Sequence, residues 1–409
     1  MKRKNNKDHM IQIDGVSYDA QALADSHPGG PLFIQAFTGR DATTAFLSYH
    51  RREFPHTKMM DMKVDTASEA INTPDYLEYL ELCALVEKIT PRSKSFAPFS
   101  YFAKVLFLLS ISVGLEFYIH KNGMYTWYLT ATLGWLYALI GLNIQHDANH
   151  GAVSRNPFVN RALGMSQNWI GGSAVDWIHQ HVVQHHIETN HVDKDPDIVG
   201  NALLRFNPKN TLSKIHEFQH TYIFLLLPLF GFTYVVDSFK HNLERFNFSK
   251  YSNKLDTYRN QELATILFFG ARWFVLPVYM TNTSLASTFL NVSPLFIVGG
   301  YYLSFFFIIS HNFEGVEHHH FGIENQNFLR NQVSSSSNVG GPFLCFINGG
   351  LNYQIEHHLF PRMSHVYYPK IAPVVREFCL SRGIPYVHFP TIWENVLSCC
   401  RHLYAMGQR

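Results

Sequence analysis

Three short runs of histidine carry the chemistry of this 409-residue chain, which holds 24 His in all. In QHDANHG, His146 and His150 stand four apart, so on a continuing helix both imidazoles project from one face. WIHQHVVQHHIETN repeats the device with His181 and His185, and His186 sits beside them. Near the C-terminal end QIEHH supplies His357 and His358, with Gln354 three and four residues earlier on a facing turn. His311 is a further candidate, placed where an apolar stretch ends. Imidazole-rich sites suit iron, copper or zinc, and this set has more donors than one ion can use, so two metals are expected. Soluble di-iron bundles use Glu and Glu-x-x-His ligands, whereas carboxylates are scarce here. Asp147, Asn149 and Glu356 are therefore expected to orient the histidines rather than to bind metal. The chemical reading is a two-metal, oxygen-activating centre. His318, His319 and His320 lack helical spacing and read as a loop, and His179 and His191 are left between a supporting role and the surface.

These runs need elements to hold them, and the composition indicates which. Lys+Arg 33 against Asp+Glu 31 gives a net charge of +2, so no one-sign field points to nucleic acid. Charged residues at 16% and aromatic residues at 15% tilt toward a chain that meets lipid over part of its length, while a mean hydropathy of -0.07 excludes membrane throughout. Five Cys form no C-x-x-C pair, and the polar start MKRKNNKDHM carries no cleaved leader pattern. Four crossings are expected, at about 101–119, 124–145, 263–280 and 292–310, with 221–236 lying at the interface. Lys240, Arg245, Lys250, Lys254 and Arg259 flank the third crossing, whereas 281–291 has no Lys or Arg. The positive-inside rule then puts both chain ends and all three histidine runs in the cytosol. Arg272 interrupts the third crossing and must pair, reach an interface or face a polar cavity.

After a polar tail (1–10), residues 11–65 form a small soluble unit, and a helix with Thr73 as cap and Pro74 in first position follows within a linker at 66–95. HPGG at 27–30 and GRDATTAFLSYH ending at His50 place two histidines 23 residues apart, as bis-imidazole heme ligation requires. This unit resembles cytochrome b5, which implies heme b with His27 and His50 as axial ligands; His56 is a less well spaced alternative. The segment that normally precedes the IQIDG-like strand is nearly absent.

A cytochrome b5-like module ahead of HDANH, HVVQHH and QIEHH resembles the front-end fatty acyl desaturases over nearly the whole chain. The resemblance implies a mainly α protein: a small α+β heme domain, then a four-crossing helical membrane desaturase domain (96–409) with a cytosolic histidine-rich cap. It further implies a non-heme pair of irons held by the histidine set, with Gln354 at the position where other membrane desaturases have His. The reaction implied is O2-dependent insertion of a cis double bond between an existing one and the carboxyl end of a long polyunsaturated acyl chain. HDANHG, QNWIGGSAVDWIHQHVVQHH and SHNFEG look most like enzymes acting at carbon 5 of C20 substrates. Delta-6, delta-4 and delta-8 sphingoid desaturases and acyl hydroxylases share the same motifs. Implied partners are an acyl-lipid or acyl-CoA, O2, an NAD(P)H-dependent cytochrome b5 reductase and the bilayer of the endoplasmic reticulum. Trp169 and Trp177 are candidates for lining an acyl tunnel or for packing. The non-enzyme alternative, a transmembrane heme electron carrier, needs lone histidines at mid-bilayer rather than clusters at helix ends.

Overall fold

The computed structural model describes residues 9–66, 74–199, 202–243, 258–319 and 328–408. The Thr73 cap, His320, most of the polar tail, and Arg245, Lys250 and Lys254 lie outside them. The N-terminal unit opens with β1 (Met10–Ile13) and β2 (Val16–Asp19), an antiparallel hairpin joined through Asp14 and Gly15. Both turn residues have positive φ (51° and 72°), the geometry that matches strand twist in a tight hairpin. Three helices follow. The Asp19 carboxylate accepts from the Gln21 and Ala22 amides to cap α1 (Ala20–Ser26), and α2 (Pro31–Ala36) and α3 (Thr43–His50) complete the set. Then β3 (Lys63–Thr66) pairs with the free edge of β2. Ile11, Ile13, Tyr18, Leu23 and Phe37 form the core.

The next helix, α4 (Pro74–Ile89), is more than a linker. The sequence pattern pointed to Tyr76, Leu77, Leu80, Ala84 and Val86 as its apolar stripe; Val86 is fully buried, whereas Leu77 and Ala84 are exposed. The fully buried set is Tyr79, Leu82, Cys83 and Val86, spaced i, i+3, i+4 and i+7. This face packs into the C-terminal cap, where the Tyr79 hydroxyl donates to the Leu359 carbonyl at 2.6 Å.

The apolar body is built from α5 (Phe99–Asn122), α6 (Trp127–Ile140), the broken pair α7 (Gln219–Leu226) and α8 (Phe230–Leu243), then α9 (Arg259–Gly270), α10 (Leu276–Thr281) and α11 (Leu285–His311). Four continuous helical stretches among the described residues are long and apolar enough to cross a membrane: Arg92–Asn122, Lys214–Leu243, Arg259–Thr281 and Leu285–His311. This set includes the 214–243 stretch, which the sequence placed at the interface, and omits 124–145. The packing arranges them more informatively. The turn at Gly123 lies against Thr281, so the α5–α6 and α10–α11 hairpins share one end. His146, at the exit of α6, and His311, the last residue of α11, share the other. The α7–α8 pair begins and ends at this histidine end: Gln219 Nε2 donates to the Leu403 carbonyl at 2.9 Å, and His241 Nδ1 lies 3.0 Å from Asp176. Phe102, Leu106, Phe107, Val113 and Phe117 on α5 are exposed, as a lipid-facing surface must be.

Arg272 does pair. Its guanidinium lies 3.0 Å from Glu116, donates to the Trp169 carbonyl and the Tyr137 hydroxyl, and stacks 3.8 Å over the Trp169 ring. Trp169 is thereby accounted for as a cation–π partner, with no tunnel role required.

Glycines let these helices touch. A Cβ on Gly134 of α6 would fall 2.3 Å from the Leu295 carbonyl oxygen of α11, and one on Gly300 would fall 2.3 Å from the Gly231 nitrogen of α8. In lipid, where no hydrophobic drive separates helices from solvent, such close approach carries much of the association. Beyond the bundle, α12 (Phe328–Ser334), α13 (Gln354–Leu359), α14 (Tyr368–Ser381) and α15 (Ile392–Gln408) build the cap, tied by β4 (Asn338–Val339) pairing in parallel with β5 (His388–Phe389). All five cysteines are free, as their spacing predicted.

Replacing Gly134 by Leu should push α6 off α11 and cost about 1–3 kcal/mol or more, since no flexible side chain faces it. Thermal stability of the detergent-solubilised protein should fall, whereas Gly114→Leu, with nothing within 4 Å, should leave it unchanged.

Candidate metal centre and heme pocket

The α6 helix does not end as a regular α-helix. A π turn, Gly141–Gln145, widens it before His146–Asn149, and the second histidine run is itself a π-helix, Ile178–His185. Such segments recur at functional sites because they re-aim side chains. The sequence reading assumed α-helical spacing for His181 and His185. The wider turn instead bonds the His186 amide to the His181 carbonyl and brings their Nε2 atoms to 3.1 Å.

Two groups of histidine donors result, and a third group, His181, His185 and Asp197, overlaps both. In the first, His146, His150, His181 and His357 offer ligand atoms within 4.8 Å of one another; in the second, His185, His311 and His358 do the same, and all seven are buried. Gln354 joins the second, its amide 2.9 Å from His311 Nε2 and 3.2 Å from His358 Nε2. Between the groups lies His186, with Nε2 3.0 Å from His357 Nε2 and its ring stacked on His358. Every residue named as a candidate ligand from sequence is therefore in one place, as is Trp177, packed against His146, His150 and His181.

The outward nitrogens show what this arrangement is for. His150 Nδ1 meets the Tyr49 hydroxyl at 2.8 Å, His185 Nδ1 the Asp195 carboxylate at 3.1 Å, and His311 Nδ1 the Ser335 carbonyl at 2.9 Å. His357 Nδ1 meets the Tyr368 hydroxyl at 3.2 Å, and His358 Nδ1 the Gln332 side-chain oxygen at 2.8 Å. In each case Nδ1 is occupied on the outside and Nε2 is left for the centre, the arrangement by which proteins orient metal-binding imidazoles. Both nitrogens of His146 and the Nε2 atoms of His150 and His185 have no hydrogen-bond partner among the described residues. Burial, reinforced by neighbouring imidazoles, holds His150, His181, His186, His357 and His358 well below the usual histidine range, so these rings are neutral and offer lone pairs. At His185 burial is outweighed by Asp195 and Asp197, which push it up to about 9 and so favour a positive charge at that spot. Clustered lone pairs, orphaned buried nitrogens and two carboxylates behind one ligand fit a pair of metal ions.

The expected orienting residues need correction. Asp147 accepts from His365 Nδ1 at 2.9 Å and from Ser364, Asn149 bonds Gln145 and the Gly164 carbonyl, and Glu356 accepts from Asn338 and Tyr386. None of the three side chains bonds a clustered histidine, because on these tight turns the neighbours of a ligand point away from the face the ligand uses. The groups that do the work are Tyr49, Asp195, Gln332, Ser335 and Tyr368. Of these only Asp195, in the polar run HVDKDPD just after the second histidine run, carried any sequence signal. His318 Nε2 donates to the Phe206 carbonyl, and His319 bridges to His191, consistent with a loop role.

In the N-terminal unit the rings of His27 and His50 face each other, centroids 6.1 Å apart, across a cavity lined by Ile11, Ile13, Phe37, Ala42 and Phe46. Nδ1 of His27 bonds the Gly30 carbonyl and Nδ1 of His50 the Phe46 carbonyl, so each ring keeps Nε2 for the cavity. Burial lowers His50 to about 3, leaving it neutral as an axial ligand must be. Two neutral imidazoles opposed in an apolar slot fit heme. His56 is ruled out as a ligand by its bonds to Tyr18 and Asp14.

Comparison with known proteins agrees with this geometry. Residues 123–390 match the fatty acid desaturase family and residues 1–77 the cytochrome b5-like heme/steroid binding domain. The chain belongs to the fatty acid desaturase family, an oxidoreductase with a fused cytochrome b5 domain. Among its relatives it is 43% identical to an acyl-lipid (7-3)-desaturase of Rebecca salina, over 96% of this chain and 89% of that one. Identity is again 43% to an acyl-lipid (7-3)-desaturase of Diacronema lutheri (97% and 90%), and 29% to Delta(5) fatty acid desaturase A of Dictyostelium discoideum (99% and 92%). These relatives place it among the front-end desaturases.

Asp195→Asn should weaken metal retention about 10–100-fold while leaving the fold intact, read as metal per chain after dialysis against a chelator. His27→Ala should erase the reduced-minus-oxidised heme spectrum yet leave non-heme metal unchanged, since the two sites share no ligand.

Proposed function

We propose that this chain is a membrane front-end acyl-lipid desaturase with a non-heme pair of irons, one held by His146, His150, His181 and His357 and the other by His185, His311, His358 and Gln354, with His186 between them. The observation that carries this reading is the convergence of every motif histidine at the shared end of α6 and α11, with Nδ1 of His150, His185, His311, His357 and His358 held from outside. Iron bound there supplies the reduction of O2 to two waters coupled to removal of two hydrogens from a CH2–CH2 unit. The polypeptide contributes position: misplacing the reacting carbons by about an ångström can cost on the order of a hundredfold. Trp177, buried against three of the histidines, is the side chain best placed to fix the chain beside them.

Four segments are taken to cross the bilayer, α5, α6 with its π turn, α9–α10, and α11, while α7–α8 enters from and returns to the histidine end. The basic residues between α8 and α9 put that end in the cytosol, together with both chain ends. Heme b between His27 and His50 would receive electrons from an NAD(P)H-dependent reductase, and the endoplasmic reticulum is the compartment this arrangement suits.

Sequence motifs favour carbon 5 of C20 chains, and the 29% identical delta-5 relative keeps that as the second reading. The names of the two 43% identical relatives favour a double bond placed three carbons to the carboxyl side of one at carbon 7, hence at carbon 4. The carbon-4 reading has the stronger support. Feeding C20 and C22 polyenoic acids to a host that makes none, and locating the new double bond by mass spectrometry, decides between them. The expected product comes from a C22 acid already unsaturated at carbon 7. His357→Ala should abolish it while membrane insertion persists; retained product would remove His357 from the ligand set.

A further inference from the structure

The heme domain is docked on the desaturase domain, and one hydrogen bond joins their two redox sites. Tyr49 stands next to His50 on α3 and lines the cavity between His27 and His50. Its hydroxyl reaches out of that cavity to Nδ1 of His150, at 2.8 Å, while the other nitrogen of His150 faces the metal group with no hydrogen-bond partner. His150 and Gly151 themselves form part of the cavity wall. The hydrogen-bonded route from one site to the other thus runs through a single phenol ring and a single imidazole.

Around this link the interface is built as a fixed contact rather than as a tether. Val175, Val183 and Ile187 of the desaturase domain are buried in the same apolar cluster as the heme domain core. Phe33 and Tyr49 pack with Trp177 and Val182. The end of α3 is clamped: Arg51 donates to the Thr90 carbonyl at 3.1 Å and to the Ser95 hydroxyl at 3.0 Å, and Arg92 donates to the His50 carbonyl at 3.2 Å.

We propose that Tyr49 is the electron conduit between the two domains, carrying electrons from the heme site to the metal pair through its hydrogen bond to His150 without undocking of the heme domain. This rests on the metal-pair reading above. Each transfer oxidises ferrous heme to ferric and reduces one ferric ion of the pair to ferrous. Two transfers per turnover, with the two electrons taken from the substrate C–H bonds, balance the four that convert O2 and four protons to two waters; two of those protons come from the substrate and two from solvent. The heme is re-reduced by the external reductase. Throughout, the phenol keeps its proton, because with Nε2 of His150 on a metal the Nδ1–H donates to the Tyr49 oxygen and no base among the described residues accepts from it. Tyr49 is a conduit and not a chemical participant.

The test uses the full-length protein in detergent, loaded with heme and iron, oxidised, then given less than one electron per chain by flash photoreduction of the heme under argon. Soret absorbance follows heme reoxidation as the electron moves on. Wild type should reoxidise in a first-order phase whose rate is unchanged by added glycerol; a rate that falls with viscosity would show that the heme domain must undock and would overturn the proposal. Tyr49→Phe keeps the ring and loses the hydroxyl, and should slow this phase relative to wild type. Because Tyr49 also holds His150 from behind, heme and iron are counted in every sample and rates are compared at equal loading. An unchanged rate with both cofactors present would refute the conduit. A variant that slows only in proportion to the iron it has lost would show that Tyr49 acts by positioning His150, and that too would refute it. Tyr18→Phe, which removes a phenol that bonds His56 and does not line the cavity, is the control. Wild-type protein without non-heme iron would instead sink the metal-pair reading itself.

Discussion

Neutral imidazoles packed together away from water are tolerable only when their lone pairs have something to hold, and that constraint organises this molecule. Eight histidines and a glutamine amide converge at the end of two apolar helices, and among the described residues Nε2 of His146, His150 and His185 meets no hydrogen-bond partner. Each outward nitrogen must then be fixed by another residue, or the inward one would wander. A hydroxyl from the heme domain, a carboxylate from the loop after the second run, a glutamine from α12 and a tyrosine from α14 meet that need. The cap, the heme domain and the long loop after α6 are all required because no single element can surround the centre.

Much of this was legible beforehand. The histidines that cluster announced themselves by spacing, and the cavity-lining pair His27 and His50 by its flanking glycines and the DATTAF run. What could not be read was anything depending on where a side chain lands after the chain turns back on itself. Tyr49, Gln332 and Tyr368 look like ordinary helix residues until the fold brings them behind a ligand. Asp147 and Glu356, adjacent to ligands in sequence, turn out to serve His365 and Tyr386. Local wording also misled for the second run, because a π turn cannot be distinguished from an α turn by hydrophobic pattern, and it is the π turn that pairs His181 with His186.

The membrane segments show the same division. Apolar length found the helices, but a threshold on hydropathy favours the broken 214–243 pair over α6, whose polar tail at Asn143 and Gln145 dilutes its average. Packing restores the order, since glycines at 134, 299 and 300 bring α6 and α8 against α11 at backbone distance. The charge that looked costly, Arg272, is answered by Glu116 on a helix more than a hundred residues earlier, a pairing that no pattern within either helix reveals.

The contact between Tyr79 and Leu359 spans 280 residues of chain. On a ribosome adding roughly 5–20 residues per second, the stripe of α4 emerges on the order of a quarter of a minute to a minute before its partners exist. During that interval the N-terminal unit can already settle on the stretch around residues 150–187, but the apolar stripe of α4 stands uncovered. Closure of α4 on the cap is in this sense a terminal event of synthesis, and a chain stopped before α13 would leave the ribosome with that stripe bare.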